Sequence, residues 1–233
     1  MSSLYSRDFI VTLTIILIPL CLALNTDSYG QRIMTLSGIY AIAAMGYHLI
    51  FGRLGALSLA QGCFFGLGAY SAGLIGVHFG LSFLTCLSFA VIFTALVSLI
   101  IALPVLRLES HYFALATLGI AQVALLIAIN WTEVTGGANG TYGIPQLDLF
   151  GMELSSSNDV LIFVWVILVI IVSLTFWIMR APFNYQVTLL KDTPEVAASS
   201  GIDIGRWRVT FFMMSAIFGA TAGALQAYTI GVV

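Results

Sequence analysis

The chain has 233 residues, of which 60% are hydrophobic and only 8% charged, and its mean hydropathy is +1.06. Soluble domains carry about 25% charged residues, so this chain lacks the polar side chains to cover a globular surface in water. A formal net charge of −2, with Lys191 as the only lysine, gives no reason to expect nucleic acid as a partner. The composition instead predicts an all-α fold, a polytopic transmembrane helical bundle in contact with membrane lipid.

A bilayer crossing takes about 20 residues, and seven apolar runs can supply one. The first covers residues 9–24, and Leu4 and Tyr5 can lengthen it. Arg7 resembles the weak basic start of a secretory signal. However, no small-x-small cleavage site precedes NTDSYGQR and further spans follow, so this run is expected to stay as a crossing. Residues 33–51 form the second run.

The third run, at 57–78, is dense in glycine and contains Gln61, so it is expected either to cross or to be broken or re-entrant. Gly62, Gly66, Ala69 and Gly73 recur every three or four residues, which makes a smooth strip where another helix can approach closely. The same stretch also fits a broken helix beside a translocation route, with Ser58 and Gln61 facing a cavity.

Runs four and five cover 83–103 and 111–130. Between them, Arg107 and Glu109 sit outside the membrane core, and His111 stands at a helix entrance. Thr117 and Gln122 lie deeper, where a polar side chain must find a partner in another helix or in a pathway.

The stretch TGGANGTYGIP, residues 135–145, comes next. Gly136, Gly137, Gly140 and Gly143 allow backbone angles closed to other residues, and Asn139 favours local turns. A compact turn is the favoured reading. The alternative is a nest of N–H groups for a carboxylate, and no P-loop lysine follows to suggest phosphate. Asp148, Glu153 and Asp159 make this region acidic, which suits either docking of a soluble partner or plain solvation.

The sixth run is 158–178, and the seventh extends from Trp207 to about Tyr228. With the amino terminus in the cytoplasm and every run crossing once, Arg7, Arg53, Arg107, Arg180, Lys191, Arg206 and Arg208 fall on the cytoplasmic side. Only Arg32 falls outside, a clear positive-inside bias.

That orientation puts residues 180–206 in the cytoplasm. Within KDTPEVAASSGIDIGR, Thr193 can cap a helix, Pro194 suits its first turn, and Glu195 suits its positive end. Val196, Ala197 and Ala198 continue it, and Gly201 is placed to end it in a left-handed conformation. A helix over 194–200 is about 10 Å long and needs something to pack against. The preceding FNYQVTLL can form a second amphipathic piece, with Phe183, Val187 and Leu190 towards one side. A small helix held between two crossings suits transmission of motion to a cytoplasmic protein, with an inert loop as the alternative.

Cys21, Cys63 and Cys86 read as small packing residues, and His48, His78 and His111 fall on different segments. No Ser–His–acid order, carboxylate pair or zinc spacing names a chemistry, so neither a catalytic residue nor a metal ligand is predicted.

Four stretches in order carry a family resemblance: FGRLGALSLAQGCFFGLGAY at 51–70, HYFALATLG at 111–119, TGGANGTYGIP at 135–145, and the stretch at 181–209. Together they resemble the LivM-type permeases of branched-chain amino-acid ABC transporters, from about residue 33 to 230. The resemblance implies a non-catalytic inner-membrane subunit that pairs with a second, LivH-like permease. It implies two cytoplasmic ABC ATPases that bind ATP and Mg, and an extracytoplasmic binding protein that delivers substrate. The region Pro194–Gly201 would then be the contact with an ATPase. Relatives that carry urea or other small amides keep that substrate class open. The family normally continues through further helices, so a chain ending at Val233 is expected to be a truncated or unusually short relative.

Two other classes compete. A secondary transporter needs a coupling-ion site, yet the only acidic residue inside a predicted run is Asp159, at the outer edge of 158–178. A receptor or assembly subunit needs no docking helix coupled to ATP hydrolysis.

Overall fold

The computed structural model describes residues 12–15, 18–21, 23, 26–108, 110–149, 152–154, 156–179 and 183–233. The first predicted run is described only in part, at residues 12–15, 18–21 and 23, which are helical. The other six predicted runs each become a long apolar helix, because in lipid a helix satisfies its own backbone polar groups.

Helix α1 spans Ser28–His48 and continues into a π-helical segment, Leu49–Leu54. Then come α2 (Gln61–Phe79), α3 (Phe83–Val105) and α4 (Ser110–Asn130). A short α5 (Thr132–Thr135) leads to a two-stranded antiparallel pairing of β1 (Asp148–Leu149) with β2 (Met152–Glu153). Helix α6 (Ser157–Ile178) is followed by α7 (Phe183–Asp192), α8 (Pro194–Ser199) and α9 (Ile204–Ile230).

Helix α9 is the central post. It packs against α1, α2 and α3, and 67% of its apolar 18-residue stretch is buried against 11% for that of α4. The main core, with Ile39, Ile42, Leu161, Val164, Phe211 and Leu225, joins α1, α6 and α9. A second cluster at one end joins Ile50, Phe64, Val105, Phe113 and Phe212, where the Phe64 and Phe212 rings meet edge to face at 5.2 Å.

The two ends of the bundle differ in charge. At the basic end, Lys191 reaches Gly52, and one cavity wall holds Leu54, Arg107 and Arg208. At the loop end, Thr141 and Val233 exchange backbone hydrogen bonds, and a cavity of about 560 Å³ is lined by Arg32, Gln146 and Tyr228. Helix α2 runs from one end to the other: Gln61 lies against α1 and α9 near the basic end, and Gly73 lies against Ile144 and Val233 near the loop end. The predicted break falls before this helix, in the irregular residues 55–60, and leaves the glycine strip intact.

Candidate functional site

The basic end gathers most of the polar residues singled out by the sequence. Its lowest piece is α8. Thr193 occupies the position before the helix, but its backbone sits at φ −145° and ψ 73° and its hydroxyl makes no capping bond. The expected side-chain cap is thus corrected to a bare turn. It is the next helix that is capped, by Asp203, whose carboxylate accepts the Arg206 N–H at 3.0 Å.

The far end of α8 follows the predicted pattern. Gly201 has φ 78°, its N–H donates to the Ala198 carbonyl at 3.1 Å, and the Ile202 N–H donates to the Ala197 carbonyl at 3.1 Å. That pair of bonds closes the helix as a Schellman turn. The inner face is Ala197, fully buried, while Val196 is 49% exposed and Ala198 is also exposed. Pro194 and Glu195 are helical, within the first turn.

Helix α7 supports α8. Val187 and Leu190 are buried three residues apart on one face, as the amphipathic pattern requires. From its last turn, the Lys191 ammonium donates to the Gly52 carbonyl at 3.0 Å. Gly52 lies within the π-helical segment, where the i→i+5 pattern leaves carbonyls differently aimed from those of an α-helix. A Cβ at this position would sit 2.7 Å from the His48 ring, so a side chain here would displace that ring.

The segment ends at Gly55, φ 67°, and the chain turns into non-helical residues 55–60. Irregular backbone at this depth must be satisfied by protein. The Leu59 N–H donates to Thr117 Oγ1 at 3.0 Å, and the Ala60 N–H to Ser58 Oγ at 3.4 Å. Thr117 is fully buried and Ser58 nearly so. Thr117 therefore holds a broken segment in place, whereas Gln122, further along α4, is exposed on the outside of this chain.

Gln61 opens α2 and ties three helices together. Its Nε2 donates to the Ala43 carbonyl at 3.0 Å and to the Ser215 carbonyl at 3.4 Å. Ser215 Oγ donates in return to Gln61 Oε1 at 2.8 Å. Gly46 makes room for this knot: a Cβ there would stand 2.5 Å from Gln61 Nε2.

Above the knot, α2 and α9 touch backbone to backbone. A Cβ at Gly68 would collide with the backbone of Ala220, and one at Gly223 with the Phe65 carbonyl. Of the predicted strip, Ala69 joins this packing and Gly73 lies against Ile144 and Val233, but Gly62 and Gly66 have open space beside them within the chain. The sequence reading missed Gly52, Gly68 and Ser215. The Gly219-x-x-x-Gly223 spacing in α9 was the available signal for the seam.

At the loop end, Gly136, Gly137 and Gly140 have positive φ, as does Gly143, and the N–H groups of Gly137, Gly140 and Thr141 are used internally. Gly137 donates to Thr135 Oγ1 at 3.2 Å, Gly140 to the Gly137 carbonyl at 3.1 Å, and Thr141 to the Val233 carbonyl at 3.0 Å. Asn139 is exposed at the tip. These bonds fold the loop into a compact turn. Asp148 is a structural acid, accepting the Phe83 N–H at 2.7 Å where α3 begins. Of the cysteines, Cys63 and Cys86 are buried and Cys21 is exposed.

The comparisons with known proteins bear on this arrangement. Residues 30–233 match the family described as branched-chain amino acid transport system / permease component. The chain is 30% identical over 255 aligned positions to the high-affinity branched-chain amino acid transport system permease protein LivM of Salmonella typhimurium strain LT2, covering 100% of this chain and 60% of that protein. It is 32% identical over 224 positions to the LivM protein of Escherichia coli strain K12, covering 86% of this chain and 53% of that one. The chain thus spans a little over half the length of these curated relatives. No solved structure matches it significantly. With a family match from residue 30 to residue 233 laid over a polytopic helical bundle, the chain belongs to the permease components of branched-chain amino acid transport systems.

Proposed function

We propose that this chain forms part of the translocation pathway of an ATP-driven importer for branched-chain amino acids, with its basic end in the cytoplasm of a cell whose inner membrane it crosses. ATP and Mg act on separate ATPase subunits in this reading. A second, LivH-like permease completes the pathway, and an extracytoplasmic binding protein presents substrate at the loop end.

One observation carries the reading. A six-residue helix, α8, projects between two long apolar helices, with an exposed outer face and a tether into the bundle. Its tether is a chain of contacts rather than one bond. Ala197 seats α8, α7 carries Lys191, and Lys191 holds the Gly52 carbonyl of the π-helical segment. That segment leads through residues 55–60 to Thr117 on α4 and to the Gln61 knot on α1 and α9. A push on α8 therefore meets the one stretch of the described membrane region where the backbone is not already locked as α-helix. Such a stretch can have two arrangements, which is what rigid-body rocking between outward and inward access requires.

The test is uptake in proteoliposomes containing the assembled importer. Uptake is expected to require both ATPases, and uptake driven by an ion gradient without them would overturn the proposal. Ala197 is buried, so a bulky replacement there disturbs the helix itself. Val196, half-exposed, is the cleaner probe. Val196→Asp is expected to abolish ATPase association or coupling while membrane insertion persists, and wild-type association with wild-type uptake would count against the docking role.

A further inference from the structure

The basic end contains a second feature, bordering the π-helical segment and the Phe64–Phe212 cluster. A cavity of about 330 Å³ opens between the turn joining α3 to α4, residues 54–56, and the second turn of α9. Ile50, Leu106, Phe113 and Phe212 form an apolar part of its wall, and Arg107 and Arg208 both line it.

The two guanidinium groups come from elements far apart in sequence, and no acidic residue lines the cavity. The nearest acid along α9, Asp203, is already engaged: its Oδ2 lies 2.9 Å from Arg206 Nε. No ion pair joins Arg107 or Arg208 to a described carboxylate. Two like charges beside one apolar hollow repel each other and are stabilised by an anion between them. A guanidinium fork matches the oxygens of a phosphate.

The level of the cavity selects among phosphates. Helix α3 ends at Val105 and α4 begins at Ser110, so Arg107 stands where the hydrocarbon region gives way to headgroups. Leu108 lines the cavity and is 40% exposed, so the mouth is open to the outside of the bundle. An ion with an apolar tail fits both kinds of wall, whereas a free ion fits only the arginines. We propose that this cavity binds an anionic phospholipid, with Arg107 and Arg208 holding the phosphate and the apolar wall taking the start of an acyl chain. Phosphatidylglycerol is the probe of that class.

The proposal does not rest on transport, so its test reads binding. The full-length chain, purified from membranes in mild detergent with its associated subunits, is titrated with phosphatidylglycerol and followed by native mass spectrometry. Phosphatidylglycerol is expected to bind at least tenfold more tightly than phosphatidylcholine. Each arginine near a membrane surface contributes roughly a fivefold factor, so Arg107→Gln combined with Arg208→Gln should weaken binding about 25-fold. Arg206→Gln, which alters an exposed arginine already paired with Asp203, should change it less than twofold. Double replacement by lysine keeps the charge and the fold, and should retain the preference over phosphatidylcholine. Equal affinity for the two lipids, or an unchanged double glutamine variant, would overturn the proposal. So would glycerol 3-phosphate or inorganic phosphate binding as tightly as the lipid, since the site would then take a free phosphate.

Discussion

The seam between α2 and α9 and the segment just before α2 hold neighbouring helices in opposite ways. Along the seam, Gly68 meets the backbone of Ala220 and Gly223 meets the Phe65 carbonyl, with no side chain between. In residues 49–61 the helix is under-wound, then broken, and hydrogen bonds from Leu59, Gln61 and Lys191 replace close contact. Lipid tails are as apolar as leucine, so helices in a membrane gain little from burying apolar surface against one another. Tight dispersion contact and interhelical hydrogen bonds remain. The seam uses the first and resists change. The broken segment uses the second, and hydrogen bonds can be exchanged.

The largest effect is expected where the seam is filled. Gly223→Leu or Gly68→Leu would force backbone apart and cost about 3 kcal/mol or more, seen as loss of folded protein by thermal unfolding in detergent. Gly66→Ala has open space beside it in this chain and is expected to be neutral or to stabilise by up to about 1 kcal/mol. If Gly66→Ala disrupted an assembled complex but not the isolated chain, that face would be an interface with another subunit.

Smaller losses are expected in the broken segment. Gln61→Leu removes bonds to two helices and should cost about 1–2 kcal/mol in the same measurement. Gly55→Ala isolates the backbone term. Its new Cβ would meet only the flexible Lys191 side chain at 3.5 Å, so the cost of about 1 kcal/mol comes from holding φ at 67°. Lys191→Met comes last in stability, with a change below about 0.5 kcal/mol expected for an exposed side chain. If the segment transmits motion, the same variant should lower coupled uptake several-fold. Unchanged uptake would confine Lys191 to surface packing and end the comparison as a functional one.

Much of the site was legible because some residue types have few uses. Pro194 and Gly201 bracket a short helix from sequence alone, since one suits a first turn and the other a left-handed end. Thr193 was legible only as a position. Whether a hydroxyl caps depends on the local backbone, and here ψ of 73° accompanies no capping bond. Likewise Gln61 announced itself as a polar residue in an apolar run, but its partners, Ala43 and Ser215, lie 18 and 154 residues away. Thr117 and Gln122 looked alike in sequence, yet one is buried against Leu59 and the other faces outward.

The sequence by itself determined that this protein is a lipid-embedded helical bundle, where its six described spans lie, and that a small helix interrupts the last two. Length, hydropathy and turn residues act locally, so a linear reading reaches them. Only the tertiary structure decided which glycines make contact, where the backbone unwinds, and which polar groups share a hydrogen bond. Those depend on how α2, α4, α7 and α9 come together, and apolar stripes on membrane helices leave that choice open because every face is greasy enough for lipid.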